Sequence, residues 1–434
     1  MKGYKMDLNA ILKNLKNCPC GKCHTCDVKA VEIGSGLLQH TAEILKSNAF
    51  PTDILVVADK NELRAADGIL DILTQGGFNI SPLIFEDLRV AEYAESERIA
   101  ALSREKGGIL SIGTGSCNDI CRRAAFVENK PFAIFATAPS MDGFASDSSP
   151  LTANNFKISY PAKQPDIIIG DTAVLAKAPA ELKSAGFGDM IAKYTALVDW
   201  KIANLTIGEP MCERVADVTR QGLMRAVNLA DRVTAEDEET AGAIFEGLIL
   251  TGMAMQLGKT TRAASGAEHV VSHFWECKKL EQGLLSDFHG KKCGVATLMV
   301  TRLYKELAAM ENPVFVSDQT DWDTVYAVYG EHFRSEVEKF NTPTVTDETS
   351  PEILAKVWPE IRRIILEELP SVEKLTELMQ KAGCATTAKE IGVADDLAVT
   401  GLQYHPYMRH RMMLTRLVPM FKDVIPDWKT LTGI

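Results

Sequence analysis

Histidine is scarce in this chain, with eight residues in 434. Long apolar runs are also missing: no stretch of eighteen apolar residues exists, so no membrane span is expected. The richest run, AIFEGLILTGMAMQLG (243–258), carries Glu246 and two interior glycines and reads as a buried core helix. The N-terminus, MKGYKMDLNAILKNLKN, lacks the apolar core and small-residue cleavage site of a secretory signal. Basic excess is absent as well. Lys and Arg number 47 against 58 Asp and Glu, a net charge of −11. Nucleic acid is thereby disfavoured as a partner, because phosphate backbones demand clustered cations. A small phosphorylated ligand, which needs only a local basic pocket, is not. A cytoplasmic enzyme or binding protein without a membrane partner is the default expectation.

Cysteine is present but uneven. Four of the ten fall in CPCGKCHTC (Cys18, Cys20, Cys23, Cys26), with His24 among them; the other six are scattered. A disulfide framework is not expected in a long chain without a secretory signal. Thiolates could clasp a structural zinc, but four ligands within nine residues leave little backbone for a tetrahedral wrap. Reduced thiols on a surface arm are the expectation for residues 1–27.

At 434 residues, two domains are expected. DILVVAD (53–59), SPLIFED (81–87), GILSIG (108–113), PFAIFAT (131–137) and PDIIIGD (165–171) read as strands, separated by helical stretches. That alternation predicts a parallel sheet covered by helices. From about residue 181 the periodicity becomes three to four, through DMIAKYTALVDWKIAN, EETAGAIFEGLILTGMAMQL and CGVATLMVTRLYKEL to YMRHRMMLTRLVPMF (407–421). The second half is therefore expected to be helical. No internal repeat stands out, and a cleft between two such domains is the expected ligand site.

Five stretches could carry chemistry. In SIGTGSCNDI a strand meets Gly113 and Gly115 and a helix begins. Such a turn brings backbone N–H groups and a helix N-terminus to a phosphate, although many turns of this kind bind nothing. FATAPSMDGFASDSSP places Thr137, Ser140, Asp142 and Ser146 after another strand, either as a plain Asp-Gly turn or as a second loop at the same sheet edge. GFGDMIAKYTALVDW puts Asp189 at an expected helix start, where an aspartate often only caps. SGAEHVVSHFWE sets His269 and His273 four apart on one helical face, and DFHGKKCGVATLM places His289 before a helix. Each alone reads as structural. One carboxylate and two imidazoles together make an open metal site.

These last motifs, with TAPSMDGFASDSSP, resemble the dehydroquinate-synthase-like and metal-dependent polyol dehydrogenase superfamily, from about residue 28 to residue 300. Within it they are similar to the sn-glycerol-1-phosphate dehydrogenase branch, more the bacterial than the archaeal form. Beyond the cysteine-rich arm (1–27), which the residues alone suggest, the resemblance implies an α/β dinucleotide-binding domain (28–180) and an α-helical metal and substrate domain (181–434). It implies Asp189, His269 and His289 as metal ligands, and Asp142, Asp189 and His273 as substrate contacts, with His273 and Asp142 catalytic. The implied dinucleotide site is Asp59, Gly115, Ser116, Cys117, Asn118, Asp119, Thr137, Ala138, Pro139, Ser140 and Ser146. The implied cofactors are NAD or NADP and one divalent ion, zinc first, with nickel or another transition metal also fitting. The implied reaction interconverts dihydroxyacetone phosphate and sn-glycerol 1-phosphate, in a homodimer or larger homo-oligomer. Lys193, Lys291 and Lys292 are candidates for the phosphate. The turn reads GTG where many relatives have three glycines, and the cysteine arm lies outside the family's known chemistry. Rival readings are glycerol dehydrogenase, a dehydroquinate-synthase-like cyclase, and a binding protein that keeps the fold without activity.

Overall fold

The computed structural model describes residues 3–5 and 7–434. The chain forms two compact units, one of Met1–Met190 with Arg214–Thr260, the other of Ile191–Glu213 with Thr261–Ile434. The sheet-bearing unit thus runs past residue 180 and takes back the apolar helix Glu238–Gly258.

Among the described residues its strands are β1 (Gly3–Lys5), β2 (Ala30–Gly34), β3 (Asp53–Asp59), β4 (Asn79–Phe85), β5 (Gly108–Gly113), β6 (Phe132–Ala136), β7 (Ser148–Ala153), β8 (Phe156–Pro161) and β9 (Ile167–Asp171). Seven form one sheet in the order β1-β2-β9-β6-β5-β3-β4, parallel except for the β1 edge. The five strands read from sequence are all present within two residues. β5, β6 and β9 are buried at every position, as expected of strands covered on both faces. Pro82 lies in edge strand β4, where a missing N–H breaks no ladder on the outer side. Leu55 and Val57 aside, the aliphatics of β3 join Leu110, Ile112, Phe135, Ile167 and Ile169 in the core.

Three elements escape the sequence pattern. β2 is only AVEIG, with Glu32 half-buried. β7 and β8 form a separate hairpin whose tip, Asn154-Asn155, has both residues in the left-handed region (φ 51° and 61°). Such a pair is the usual two-residue hairpin turn. The helical stretch between β3 and β4 is two helices, Lys60–Ala65 and Ile69–Gln75, broken at Gly68 with φ 81°.

The helix Glu238–Gly258 is long and apolar enough to cross a membrane, yet 94% of its apolar window is buried within protein. In the second unit the helices Lys193–Ile207, Ala267–Glu281, His289–Ala309 and Pro351–Glu368 are the long ones. The helix expected at 407–421 is not formed. Two short 3-10 turns, His405–Met408 and Leu414–Met420, occupy it, with Arg409 and Met413 extended between them. Pro406 and Pro419 remove two of the N–H groups a continuous helix would need.

Candidate functional site

In the first unit, β3 leads outward to β4 while β5 leads the other way to β6, so the chain reverses direction between their C-terminal ends. Parallel α/β sheets open their ligand crevice at such a switch point. Asp59 ends β3 and caps the helix Lys60–Ala65: its Oδ1 accepts from Glu62 N–H at 2.8 Å, and Glu62 Oε2 accepts from Asp59 N–H at 2.9 Å. Leu88 N–H donates to the other Asp59 oxygen at 3.2 Å. Glu62 Oε1 also accepts from Thr114 N–H at 2.9 Å, across the switch point. Burial, and then the neighbouring Asp59 charge, push the Glu62 carboxyl up to about 7. Gly113 must be glycine here, since its φ is 150° and a Cβ would stand 2.0 Å from the Glu62 carboxylate.

The helix Gly115–Val127 starts at this turn, and no side chain caps it. Cys117 and Asn118 face inward: Ser111 donates to Asn118 Oδ1 at 2.7 Å, and the Cys117 thiol lies 3.4 Å from Val57 O. Asp119 is buried beside Arg122, 3.5 Å away. What this turn offers a phosphate is chiefly backbone N–H and the helix dipole; Ser116 is half-exposed beside it, its hydroxyl donating to Arg89 O at 3.3 Å.

The second loop follows β6. Thr137 N–H donates to Gly113 O at 3.4 Å, tying the two loops together. Ser146 Oγ accepts from Ser148 N–H at 3.0 Å and turns the chain into the hairpin. Two glycines let helices press against this loop. A Cβ at Gly186 would lie 1.8 Å from Pro139 O, and one at Gly252 2.7 Å from Asp142 O. Asp142 N–H donates to Asp189 Oδ2 at 2.9 Å, with both residues buried. Asp189 is not at a helix start: it lies in the last turn of the helix Ala180–Ile191, and the break falls at Ala192.

In the second unit, the helix Ala267–Glu281 carries His269 and His273. Gly266 precedes it because a Cβ there would sit 2.8 Å from Ala196 Cα, Asp199 Oδ2 and Glu268 Oε2. Two carboxylates take its first N–H groups. Glu268 Oε1 accepts from Gly266 N–H at 2.7 Å, and Asp199 Oδ2 from Ala267 N–H at 2.8 Å. Burial pushes the Asp199 carboxyl up to about 6, even with Tyr304 OH donating to it at 2.6 Å. Glu268 behaves oppositely. Burial alone would raise it, but His269, the Thr195 hydroxyl and Gly266 N–H outweigh burial and hold it below the usual carboxylate range.

Glu268 Oε1 lies 2.7 Å from His269 Nδ1. A carboxylate there fixes the proton on Nδ1 and leaves Nε2 as the basic nitrogen, the usual arrangement of a metal-ligating histidine. His289 opens the helix His289–Ala309, its ring 5.1 Å from that of His269 and 5.6 Å from that of His273, to which it stacks. A ring nitrogen of His269, one of His289 and the Cys293 thiol lie within 4.8 Å of one another. The three histidines singled out in the sequence are thus brought together. Glu268 and Cys293 were missed. Both have a simple signal, a carboxylate adjacent to His269 and a thiol one helical turn after His289.

Two of the lysines considered for a phosphate are otherwise engaged. Lys193 is fully buried and donates to Ala264 O at 2.8 Å, and Lys292 pairs with Glu276 at 2.6 Å. Lys291 lies half-buried, 3.3 Å from Asp287.

The parallel sheet reverses between β3 and β5 in the first unit, and the second unit carries a histidine cluster on two helix starts; both can be set beside known proteins. The structure is similar over 92% of this chain to a probable glycerol dehydrogenase from Sinorhizobium meliloti (TM-score 0.61, 15% identity, 94% of that chain). It is similar over 94% to a sulfoacetaldehyde reductase from Bifidobacterium kashiwanohense solved in complex with NAD+ (TM-score 0.59, 15% identity, 97% of that chain). A family model described as iron-containing alcohol dehydrogenase matches residues 32–179. The glycerol-1-phosphate dehydrogenase (NAD(P)+) of Halalkalibacterium halodurans is 28% identical over 94% of this chain and 97% of its own length. That of Methanothrix thermoacetophila is 30% identical over 64% of this chain and 77% of its own. The chain belongs to the glycerol-1-phosphate dehydrogenase family.

Proposed function

We propose that this chain interconverts dihydroxyacetone phosphate and sn-glycerol 1-phosphate with NAD(H) or NADP(H) and one divalent ion. The observation that carries the reading is the meeting of His269 and His289, with the Cys293 thiol beside them and Glu268 fixing His269 for coordination. Imidazole and carboxylate donors suit zinc first, and nickel or iron also fit. Asp189, His269 and His289 are the proposed ligands. Bound there, the ion supplies Lewis acidity to the C2 carbonyl and the nicotinamide supplies the hydride.

The protein's own residues do the rest. Asp142 presents its N–H to Asp189 and so fixes that carboxylate. His273, stacked on His289, is the proposed donor of the proton that the C2 oxygen takes up, and it returns there in the reverse reaction. The Gly115–Asp119 turn and the Thr137–Ser140 loop, joined through Thr137 and Gly113, are the proposed seat of the dinucleotide. Lys291 is the proposed phosphate contact among the three lysines considered.

The test is one assay matrix: NADH or NADPH oxidation with dihydroxyacetone phosphate and with dihydroxyacetone, before and after chelation. The expected result is metal-dependent turnover that strongly prefers the phosphorylated triose. Equal rates on both trioses would reject the phosphate specificity and favour a glycerol dehydrogenase. Full activity after complete metal removal would reject the metal site.

A further inference from the structure

The cysteine arm is given no role in the proposed reaction, yet the structure organises it. The chain makes a turn at Cys18-Pro19-Cys20-Gly21, closed by Gly21 N–H to Cys18 O at 3.0 Å. Pro19 supplies the fixed φ such a turn wants at its first central position. Gly21 lies in the left-handed region, φ 74°. The turn reverses the chain so that residues two and six apart meet. Cys20 Sγ stands 3.2 Å from His24 Nε2, and the Cys18 thiol, the Cys20 thiol and a His24 nitrogen all lie within 4.8 Å of one another. Tetrahedral zinc, with bonds of about 2.3 Å to sulfur and about 2.0 Å to nitrogen, sets its ligands roughly 3.5–3.8 Å apart. Cys23 and Cys26 stay outside the group. Cys23 is exposed, and Cys26 reaches Gln164 Oε1 at 3.5 Å. The difficulty of wrapping four cysteines of one short segment around an ion therefore does not arise.

The imidazole is also prepared. His24 Nδ1 lies 2.7 Å from Leu257 O, so the proton sits on Nδ1 and Nε2 faces the thiols as the basic nitrogen. Just beyond, Asp27 is held twice by Gln256, N–H to Oε1 at 2.9 Å and Oδ2 from Nε2 at 2.7 Å. The arm is thus pinned where the helix Glu238–Gly258 ends. Among the described residues no cysteine is in a disulfide.

We propose that Cys18, Cys20 and His24 bind a zinc ion, separate from the catalytic site, that clasps the N-terminal arm onto the C-terminal end of the helix Glu238–Gly258. Thiolates and imidazole are a soft donor set, which selects zinc over magnesium or calcium.

The experiment is metal analysis of the full-length protein purified without chelator, followed by cobalt substitution. Wild type is expected to carry about two equivalents of metal per chain. Cys20→Ser and His24→Gln should each lose one equivalent, and His269→Ala should lose the other. Cobalt-loaded wild type should show a thiolate-to-cobalt charge-transfer band that persists in His269→Ala and vanishes in Cys20→Ser. That control separates the arm from Cys293, and it separates failure of this proposal from failure of the catalytic assignment. If Cys20→Ser does not fold, His24→Gln and the wild-type spectrum still decide. A band that is lost with His269 and kept without Cys20 overturns the arm site, as does metal content unchanged by both arm variants.

Discussion

Gly186→Ala adds one methyl group at the closest helix-to-loop approach in the sheet-bearing unit. The new Cβ would stand 1.8 Å from Pro139 O, 2.9 Å from Pro139 C and 3.3 Å from Leu248 Cδ1. Real Cβ atoms essentially never come nearer than 3.0 Å, so helix and loop must part by at least 1.2 Å (3.0 less 1.8). Both sides of the clash are anchored in backbone, and neither can swing away as a flexible side chain would. Overpacking of this kind costs about 1–3 kcal/mol. At roughly 2–4 °C per kcal/mol for a unit of this size, the melting temperature should fall by roughly 2–12 °C. The functional effect should be larger than the stability effect suggests. The helix carries Asp189, the loop carries Asp142, and the 2.9 Å bond between them should lengthen as helix and loop part. A displacement of about 1 Å at a reacting centre costs about 100-fold, so kcat/KM for the triose phosphate should fall by about that factor. Gly242→Ala is the control, because its Cβ meets only Thr172 Cγ2 at 3.0 Å and Ile33 Cγ2 at 3.7 Å, side-chain atoms that can give. Steady-state NADH oxidation and thermal unfolding measure both quantities. A Gly186→Ala protein with wild-type kcat/KM would refute the claim that this contact sets the geometry of the site.

Three further outcomes are expected. Gly115→Ala places a Cβ only 3.4 Å from Met141 Cγ, an ordinary contact. Its melting temperature should match wild type while its dinucleotide Kd rises at least about tenfold, if that turn meets the diphosphate; an unchanged Kd by titration would remove the turn from the cofactor site. Glu268→Gln keeps the shape but weakens the charge behind His269, so metal affinity should drop about 10–100-fold by competition with a chelator, and an unchanged affinity would mean that Glu268 serves only to cap its helix. Glu62, raised to about 7, favours folding most below its unfolded value of 4.5, and that contribution is lost as pH rises through 7. Because its ionised form would face the dinucleotide phosphates, cofactor Kd should also rise across that pH range, and Glu62→Gln should flatten the profile; equal pH dependence in both proteins would exclude Glu62.

The sheet was legible because burial on both faces leaves a plain signature: DILVVAD, GILSIG and PFAIFAT are apolar nearly throughout. β2 was not, since AVEIG is short and Glu32 interrupts it. The β7–β8 hairpin alternates properly, but Asn-Asn is a weaker turn signal than Asn-Gly, and the Asp-Gly just upstream is the stronger local turn signal. Helix termini were read less well than helices. Asp189 stands three residues before the break at Ala192, and no local residue type marks which side of the break it belongs to.

What sequence spacing could not convey is which polar groups are already occupied. Asp59, Cys117, Asn118 and Ser146 were all placed near a dinucleotide. In the fold each is engaged in capping a helix, packing under the turn, or closing a loop. Lys193 and Lys292 are likewise held, by a carbonyl and a carboxylate. Occupancy of this kind shifts the expected cofactor contacts from side chains to backbone. A turn that binds through N–H groups needs glycine for access and tolerates almost any inward-facing residue. That is why GTG can stand here in place of three glycines: Gly113 is required by Glu62 and by its own φ, Gly115 by nothing in the protein itself. A glycine that the fold does not demand, at the mouth of the switch point, is the residue whose replacement most directly distinguishes a ligand's requirement from the protein's own.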